Sequence, residues 1–572
     1  MRSPRLWNQH NLLWAVSSAL LLTLGFAPWN QAWAGWIALL PISLNIRLNT
    51  TRLKETARLG WIFGFVHFAS SLYWITYVSW LGWTVLAAYL ALYPMFWTLF
   101  WHGIVRQNTQ SASKDSPAQN VVHAFFGASA WVALEWLRSW LLGGFSWNML
   151  GVTQVKLLAL IQIADLGGVY LVSWVVAFTS LMLSGLAART CLKFQTNPPQ
   201  QCALSIPIDL LIACMLVLAA TSYGGWKLAQ QPVAHASLNY LAIQPNIEQK
   251  PWQRPSIEKT LSRLEELTYR GLDDMQRTRK GLMLPRGQMD DGVPNLILWP
   301  EAPLSINPID HPLYREILSE LLEHKPYSIL AGGIYGEEDL YYNIAALVSN
   351  SGVNHQVYSY QIYAKRHLVI FGEYVPLAEW FPWLRIFVPT PIDLAPGKQP
   401  RLLTLENKPI SLAPLLCFED TVMDVVRDAS KLNPDIWICP ANNAWFGTSA
   451  AAWQHFDNAL FRCIEYRKPM LRVANNGITA AIDEKGVIQA LLSEKWMNQS
   501  KWKLSEPSSD RPIVCAIDED PNCMGRSAGW MHGVLYIHSY EPTLYARHGA
   551  WAPKLCLILV MGFLFLARRR HH

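Results

Sequence analysis

Three stretches of this chain each place a reactive side chain at the end of an apolar run. Residues 411–420 read S-L-A-P-L-L-C-F-E-D, so the run ends on Cys417 and the acidic pair Glu419 and Asp420 follows at once. Residues 295–302, N-L-I-L-W-P-E-A, deliver Glu301, and residues 361–376, Q-I-Y-A-K-R-H-L-V-I-F-G-E-Y-V-P, carry Lys365 and Glu373. A short apolar run that breaks into polar residues reads as a buried strand ending in a turn. A thiol, a carboxylate and an amine, each offered at such an end, suffice for acyl transfer through a covalent intermediate. The thiol attacks, the carboxylate takes its proton, and the ammonium stabilises the oxyanion.

Each residue alone has an ordinary reading. A lone cysteine in an apolar run is usually an inert small hydrophobe. A strand-end glutamate is usually solvated, but Glu301 stands among Trp299, Pro300 and Pro303, whose rigid apolar groups suit a general base. Lys365 reads equally as a surface lysine or as the partner of Glu373. The three together, all at strand ends, carry the catalytic expectation.

The elements that hold them divide in two. The chain has 572 residues, of which 51% are hydrophobic and only 15% charged, with 28 tryptophans. Apolar residues concentrate before residue 230 and after 551, which points to a membrane protein. Eight spans are expected, at 11–30, 35–46, 59–79, 81–105, 121–142, 157–186, 207–223 and 552–567, seven before the polar block and one after. A cleaved signal peptide competes for the first, because Ala32-Trp33-Ala34 is a small-x-small pattern. The length of the stretch and the membrane segments close behind it favour a span. The loop charges support one orientation. Arg47, Arg52, Lys54 and Arg58, then Arg106 and Lys114, then Arg189 and Lys193, and finally Arg568, Arg569 and Arg570 all fall on one side if both termini are cytoplasmic. The block between then lies on the outer face of a bacterial inner membrane, in the periplasm. Three organisational units follow: a helical membrane domain over 1–229, a catalytic domain over 230–551, and a membrane helix with a basic tail over 552–572. Within the spans, Glu135 and Arg138 are three residues apart and read as a structural pair on one helix face, with a lipid-headgroup contact as the alternative, and Asp165 is a further intramembrane acid.

The middle block reads as an α/β layered domain. Strand-like runs begin at Leu238, Asn295, Ser328, Tyr342, Pro409 and Asp435, and helical stretches at 256–275 and 455–466 lie between them. Residues 278–293 read as an exposed polar loop. The final His571-His572 is left out of the fold reading.

The motifs as a set resemble the nitrilase superfamily, and within it the apolipoprotein N-acyltransferase family, its integral membrane branch. They are W-P-E-A-P at Trp299, Y-A-K-R-H-L-V-I-F-G-E-Y-V-P at Tyr363, L-L-C-F-E-D at Leu415, N-N-A-W-F-G at Asn442, W-Q-H-F at Trp453, N-N-G-I-T-A at Asn475 and, in the membrane part, E-W-L-R-S-W-L-L-G-G-F-S-W from Glu135. The resemblance runs over nearly the whole chain. It implies an α-β-β-α sandwich inserted between transmembrane helices, and a Glu301, Lys365, Cys417 triad acting as base, oxyanion stabiliser and nucleophile. Glu373 and Glu419 match supporting acidic positions, and Phe418 stands where relatives often have tyrosine, so no hydroxyl is offered there. Trp252, separated from Lys250 by Pro251, matches a tryptophan at the mouth of the site, and Trp445 a wall residue. The implied substrates are a membrane phospholipid as acyl donor and the N-terminal cysteine of a diacylglyceryl-modified apolipoprotein as acceptor, both in the bilayer.

Nine cysteines are present. The polar block holds Cys417, Cys439, Cys463, Cys515 and Cys523, an odd number, so at least one stays unpaired within the chain. Cys515 and Cys523 are close enough in sequence to bridge in the periplasm, or both stay free. No Cys/His spacing suits zinc, no glycine-rich phosphate loop is present, and no basic, aromatic-interleaved patch suggests nucleic acid; no metal, cofactor or nucleotide is expected. Two rival readings remain at this stage. One is a membrane-tethered nitrilase or amidase acting on a small amide or nitrile, for which eight spans have no use. The other is a transporter or lipid-binding protein with an inactive nitrilase-like domain, against which the intact triad argues.

Overall fold

Alternation along the strands builds the catalytic core. In β1 (Ala234–Gln244), Leu238, Tyr240 and Ala242 point one way while Leu241 and Ile243 point the other, and all five are buried. Period-2 alternation with both faces apolar is the pattern of a strand covered on each side. The computed structural model describes residues 4–49, 51–107, 116–195, 207–249, 256–281, 293–301, 307–308, 310–350, 358–387, 393–447, 449–492, 513–516 and 528–569. The chain separates into two compact units, one formed by Met1–Gln231 with Thr543–His572 and the other by Pro232–Pro542. Residues 543–551, which composition assigns to the polar block, group with the helices.

The second unit contains two sheets. The first adds β2 (Leu296–Leu298), β3 (Ser328–Glu337), β4 (Leu340–Asn350), β5 (Tyr358–Ala364), β12 (Ile513–Ala516) and β13 (Gly529–His538) to β1, in the order β12-β13-β1-β2-β3-β4-β5. The second is β11-β10-β9-β8-β7-β6, built from β6 (Leu403–Thr404), β7 (Ser411–Pro414), β8 (Ile436–Ala441), β9 (Met470–Ala474), β10 (Ala480–Ile482) and β11 (Ile488–Leu491). Both are mixed: β1, β2 and β3 run parallel, as do β7, β8 and β9, and the flanking pairs are antiparallel.

One apolar cluster lies between the sheets, joining Tyr240, Leu298 and Leu347 of the first to Leu412, Ile438 and Val473 of the second. On the outer face of the first sheet, helix Ile257–Gly281 buries Leu261, Leu264 and Leu267 at helical spacing, and helix Pro312–Leu322 buries Tyr314, Ile317, Leu318 and Leu321 against them. On the outer face of the second, Trp437 of β8 meets Tyr466 of helix Ala451–Tyr466 edge-on, with centroids 5.7 Å apart. The layers therefore run helix, sheet, sheet, helix, as the family resemblance implies. The helix expected over 256–275 continues to Gly281, so the polar loop begins later than residue 278; residues 282–292 lie outside the described residues.

The first unit is helical, and its long apolar helices mark a membrane protein. Among the described residues, Trp80–Arg106, Val169–Leu192 and Ile208–Ala229 are long and apolar enough to cross a bilayer, while His10–Leu24, Ala32–Leu48, Leu158–Gly167 and Trp551–Ala567 are shorter. The expected eight spans are thus not matched one for one. The stretch 157–186 is not one helix: it breaks at Gly168, at φ +71°, where an added Cβ would lie 2.5 Å from the Tyr545 ring. Glu135 and Arg138 do not pair directly. Glu135 accepts from Trp131 Nε1 at 2.9 Å and Leu150 N at 2.7 Å, while Arg138 donates to the Asn148 carbonyl at 3.3 Å and lies over the Phe68 ring. Asp165 is paired with Lys227 at 3.3 Å.

Leu298 is fully buried between the sheets. Leu298→Ala should destabilise the protein by about 2–5 kcal/mol through lost burial and the cavity left behind. A thermal or denaturant midpoint in detergent unchanged from wild type would contradict this packing.

Candidate active site

The three sequence-predicted strand ends converge in the second unit. Glu301 follows β2, directed by Trp299, which is buried, stacks on Tyr314 at 5.8 Å and donates its Nε1–H to Thr268 at 3.1 Å. Lys365 follows β5; its backbone N–H is held by the Asn343 carbonyl at 2.8 Å, and its own carbonyl accepts from Gly397 N at 2.7 Å. Only a glycine fits that approach, because a Cβ at Gly397 would lie 2.3 Å from the Ala364 carbonyl oxygen.

Lys365 Nζ donates to Glu301 Oε1 at 2.9 Å and to Glu373 Oε1 at 3.0 Å, and only 2% of its side chain is exposed. Asn343 of β4 bridges the same two oxygens through its Nδ2, at 2.9 and 2.8 Å. Glu373 is held in place by Val369 N on its second oxygen, at 2.8 Å. Burial works against the Lys365 charge, yet Glu301, Glu373 and the Cys417 sulfur outweigh it and keep the ammonium well above the ordinary lysine range. Its charge therefore contributes to stability at all lower pH and is lost only as pH rises beyond that range.

Cys417 opens a 3-10 turn, Cys417–Thr421, three residues beyond the end of β7, in a left-handed conformation at φ +51°. Few residues other than glycine hold such an angle, so the surroundings must over-determine it. Burial first, and then the Glu301 carboxylate, push the thiol far above its usual range; Lys365, the backbone N–H of Asn442 and Arg472 pull the other way. Cys417 is therefore a thiol at rest, with the Glu301 carboxylate in electrostatic reach.

Glu419 ties the two sheets at this point. Its carboxylate accepts from Leu416 N at 2.8 Å, Arg366 N at 2.6 Å, His367 N at 3.1 Å and the Tyr363 hydroxyl at 2.9 Å. Burial pushes its carboxyl up despite these donors. It joins the lysine strand end to the cysteine turn and is spent on backbone N–H groups, so it acts as a structural clamp. Phe418 packs its ring along His367, with centroids 5.9 Å apart.

Two family models match the chain: the apolipoprotein N-acyltransferase N-terminal domain over residues 18–182 and carbon-nitrogen hydrolase over residues 243–498. The chain is 30% identical over 503 residues to the apolipoprotein N-acyltransferase of Geobacter metallireducens, covering 84% of this chain and 87% of the relative. It is 29% identical to that of Rickettsia bellii (76% of this chain, 79% of the relative) and 27% identical to that of Vibrio cholerae (85% and 90%). The chain belongs to the apolipoprotein N-acyltransferase family. Its carbon-nitrogen hydrolase match contains Glu301, Lys365 and Cys417.

Of the other family positions, Trp445 lies half-buried on the 3-10 turn Ala444–Phe446, three residues beyond Asn442. Trp252 lies outside the described residues, as does Cys523, so the possible Cys515–Cys523 bridge does too. Sequence reasoning missed Asn343 and Arg472. The available signal for Asn343 was a lone amide inside the apolar run Y-N-I-A-A-L-V; for Arg472 it was a charge inside the buried strand M-L-R-V-A.

The sulfur's neighbours give opposite signs to two substitutions. Glu301→Gln removes a charge that opposes the thiolate, so the pH dependence of Cys417 alkylation by iodoacetamide should move to lower pH. Acylation by an ester should nevertheless slow by about 10²–10⁴-fold because the base is gone. Lys365→Met should move the alkylation profile to higher pH. Shifts of the same sign for both variants would contradict the charge arrangement.

Proposed function

We propose that this enzyme transfers a fatty acyl chain from a membrane phospholipid, through a thioester on Cys417, to the α-amino group of the lipid-modified N-terminal cysteine of an apolipoprotein. Family membership supports lipoprotein N-acylation, and the observation that carries the chemistry is a buried ammonium and carboxylate beside a protonated thiol.

In the first half-reaction the Cys417 thiol gives its proton to Glu301 as the sulfur attacks the ester carbon. The carbonyl oxygen becomes negative against Lys365. The intermediate collapses by breaking the ester C–O bond; Glu301 returns the proton to the leaving oxygen, and a lysophospholipid departs. In the second, the acceptor's neutral amine attacks the thioester carbon and Glu301 takes a proton from the attacking nitrogen; the C–S bond then breaks and Glu301 returns that proton to the Cys417 sulfur. The two half-reactions share one site, so the kinetics are ping-pong. Glu373 and Asn343 keep Lys365 and Glu301 in register through both.

Lipid substrates fit the surroundings of Glu373. The segment that follows it exposes Leu377, Trp380, Phe381 and Trp383, with Trp380 79% exposed. A group of exposed large apolar side chains on one segment suits contact with acyl chains or a membrane surface. In this reading the termini are cytoplasmic, the catalytic unit is periplasmic, and eight apolar segments hold it at the bilayer where both substrates reside. Trp445 stands at the mouth that keeps water from competing with the amine.

Intact-protein mass spectrometry after incubation with phospholipid vesicles tests this. One fatty-acyl mass should be gained, be released by neutral hydroxylamine and be missing in Cys417→Ser. Turnover of a small water-soluble amide without any lipid adduct would instead establish an amidase.

A further inference from the structure

Behind the nucleophile, on the outer face of the second sheet, four buried polar side chains meet. Cys439 of β8 and Arg472 of β9 are register partners, His455 comes from helix Ala451–Tyr466, and Asp420 from the Cys417 turn itself. One Asp420 oxygen pairs with Arg472 Nη1 and accepts from the Cys439 thiol at 3.2 Å; the other lies 2.8 Å from His455 Nε2. Each is buried, Asp420 and Arg472 completely.

The tautomer of His455 follows from donors and acceptors alone. Its Nδ1 faces Arg472 Nη2 at 2.9 Å and Asn443 Nδ2 at 3.2 Å. A guanidinium has only donors, so Nδ1 must accept and carries no proton. The single ring hydrogen is then on Nε2, shared between Asp420 and the Cys417 carbonyl oxygen at 3.1 Å. Burial, opposed by Asp420, holds His455 below the ordinary histidine range, so the ring is a neutral donor of fixed orientation.

We propose that His455 is a positioning residue for acyl transfer: held by Asp420 and Arg472, it fixes the peptide after Cys417, and with it the left-handed turn that presents the thiol to Glu301 and Lys365. The peptide is planar, so a bond to its carbonyl sets the orientation of the whole unit. A non-glycine residue at φ +51° is strained and relaxes unless it is held. Without the bond, the turn rotates toward an ordinary conformation and the sulfur leaves its place. This rests on Cys417 being the acylated nucleophile, not on the identity of the donor.

The test uses the full-length protein in detergent, with wild type, His455→Ala and His455→Gln, whose side-chain amide restores a neutral donor. Acylation is read as the nitrophenolate burst from p-nitrophenyl butyrate, and Cys417 is titrated separately by iodoacetamide. The alanine variant should acylate about 10²-fold more slowly at unchanged KM, the scale of a misplacement of about 1 Å. Its alkylation profile should move to lower pH as the thiol loses its buried place beside Glu301, and glutamine should recover much of both. An alanine variant with a normal burst, or one whose only change is a lower melting temperature, overturns the proposal. So does equal loss in alanine and glutamine. A wild-type burst without phospholipid acylation would count against the proposed donor and leave this inference standing, whereas a wild type without a burst overturns both.

Discussion

One buried ammonium organises the site. Lys365 Nζ lies within 3.0 Å of two carboxylates while nearly all of its side chain is withdrawn from water. A lysine buried alone would lose its proton, and two carboxylates brought together would repel. Each problem is solved by the other. Removing the ammonium would leave both carboxylates buried and unpaired, at a cost of about 3–5 kcal/mol. The ammonium, Glu301, Glu373 and the bridging Asn343 are therefore one unit. It carries one surplus negative charge, and that surplus faces a thiol.

Four acidic side chains stand within this small region, and their neighbours give them four different tasks. Glu301 and Glu373 share the ammonium, but Glu373 is also held by a backbone N–H and Glu301 opposes ionisation of the Cys417 thiol. Glu419 is saturated by three backbone N–H groups and a phenol, which makes it a tie between strands of different sheets. Asp420, one residue later, turns to the other face and neutralises Arg472. Three of the four are glutamates, so residue type does not separate them; the donors around each carboxylate decide what it does.

The helical unit follows the same rule on a smaller scale. Its buried charges meet local partners, Asp165 with Lys227 and Asp209 with Arg189, while Glu135 and Arg138 satisfy separate groups three residues apart. A charge in an apolar environment is tolerated where a partner replaces its water.

The amino-acid sequence alone determined what depends on near neighbours in the chain. The alternation of β1, the helical spacing of Leu261, Leu264 and Leu267, and the placement of Glu301, Lys365 and Cys417 at strand ends are set by periods of two and of about 3.6 residues. So is the division into apolar helices and an α/β block, and those patterns survive without any tertiary contact. The break at Gly168 and the separate partners of Glu135 and Arg138 did not follow, because hydropathy and i, i+3 spacing do not register what packs alongside. Only the tertiary structure decided which groups meet. Asn343 reaches Glu301 across 42 residues, Lys365 across 64, and Arg472 reaches Asp420 across 52. Such pairs are selected by sheet order and strand register, and a single strand's pattern is indifferent to which strand lies beside it.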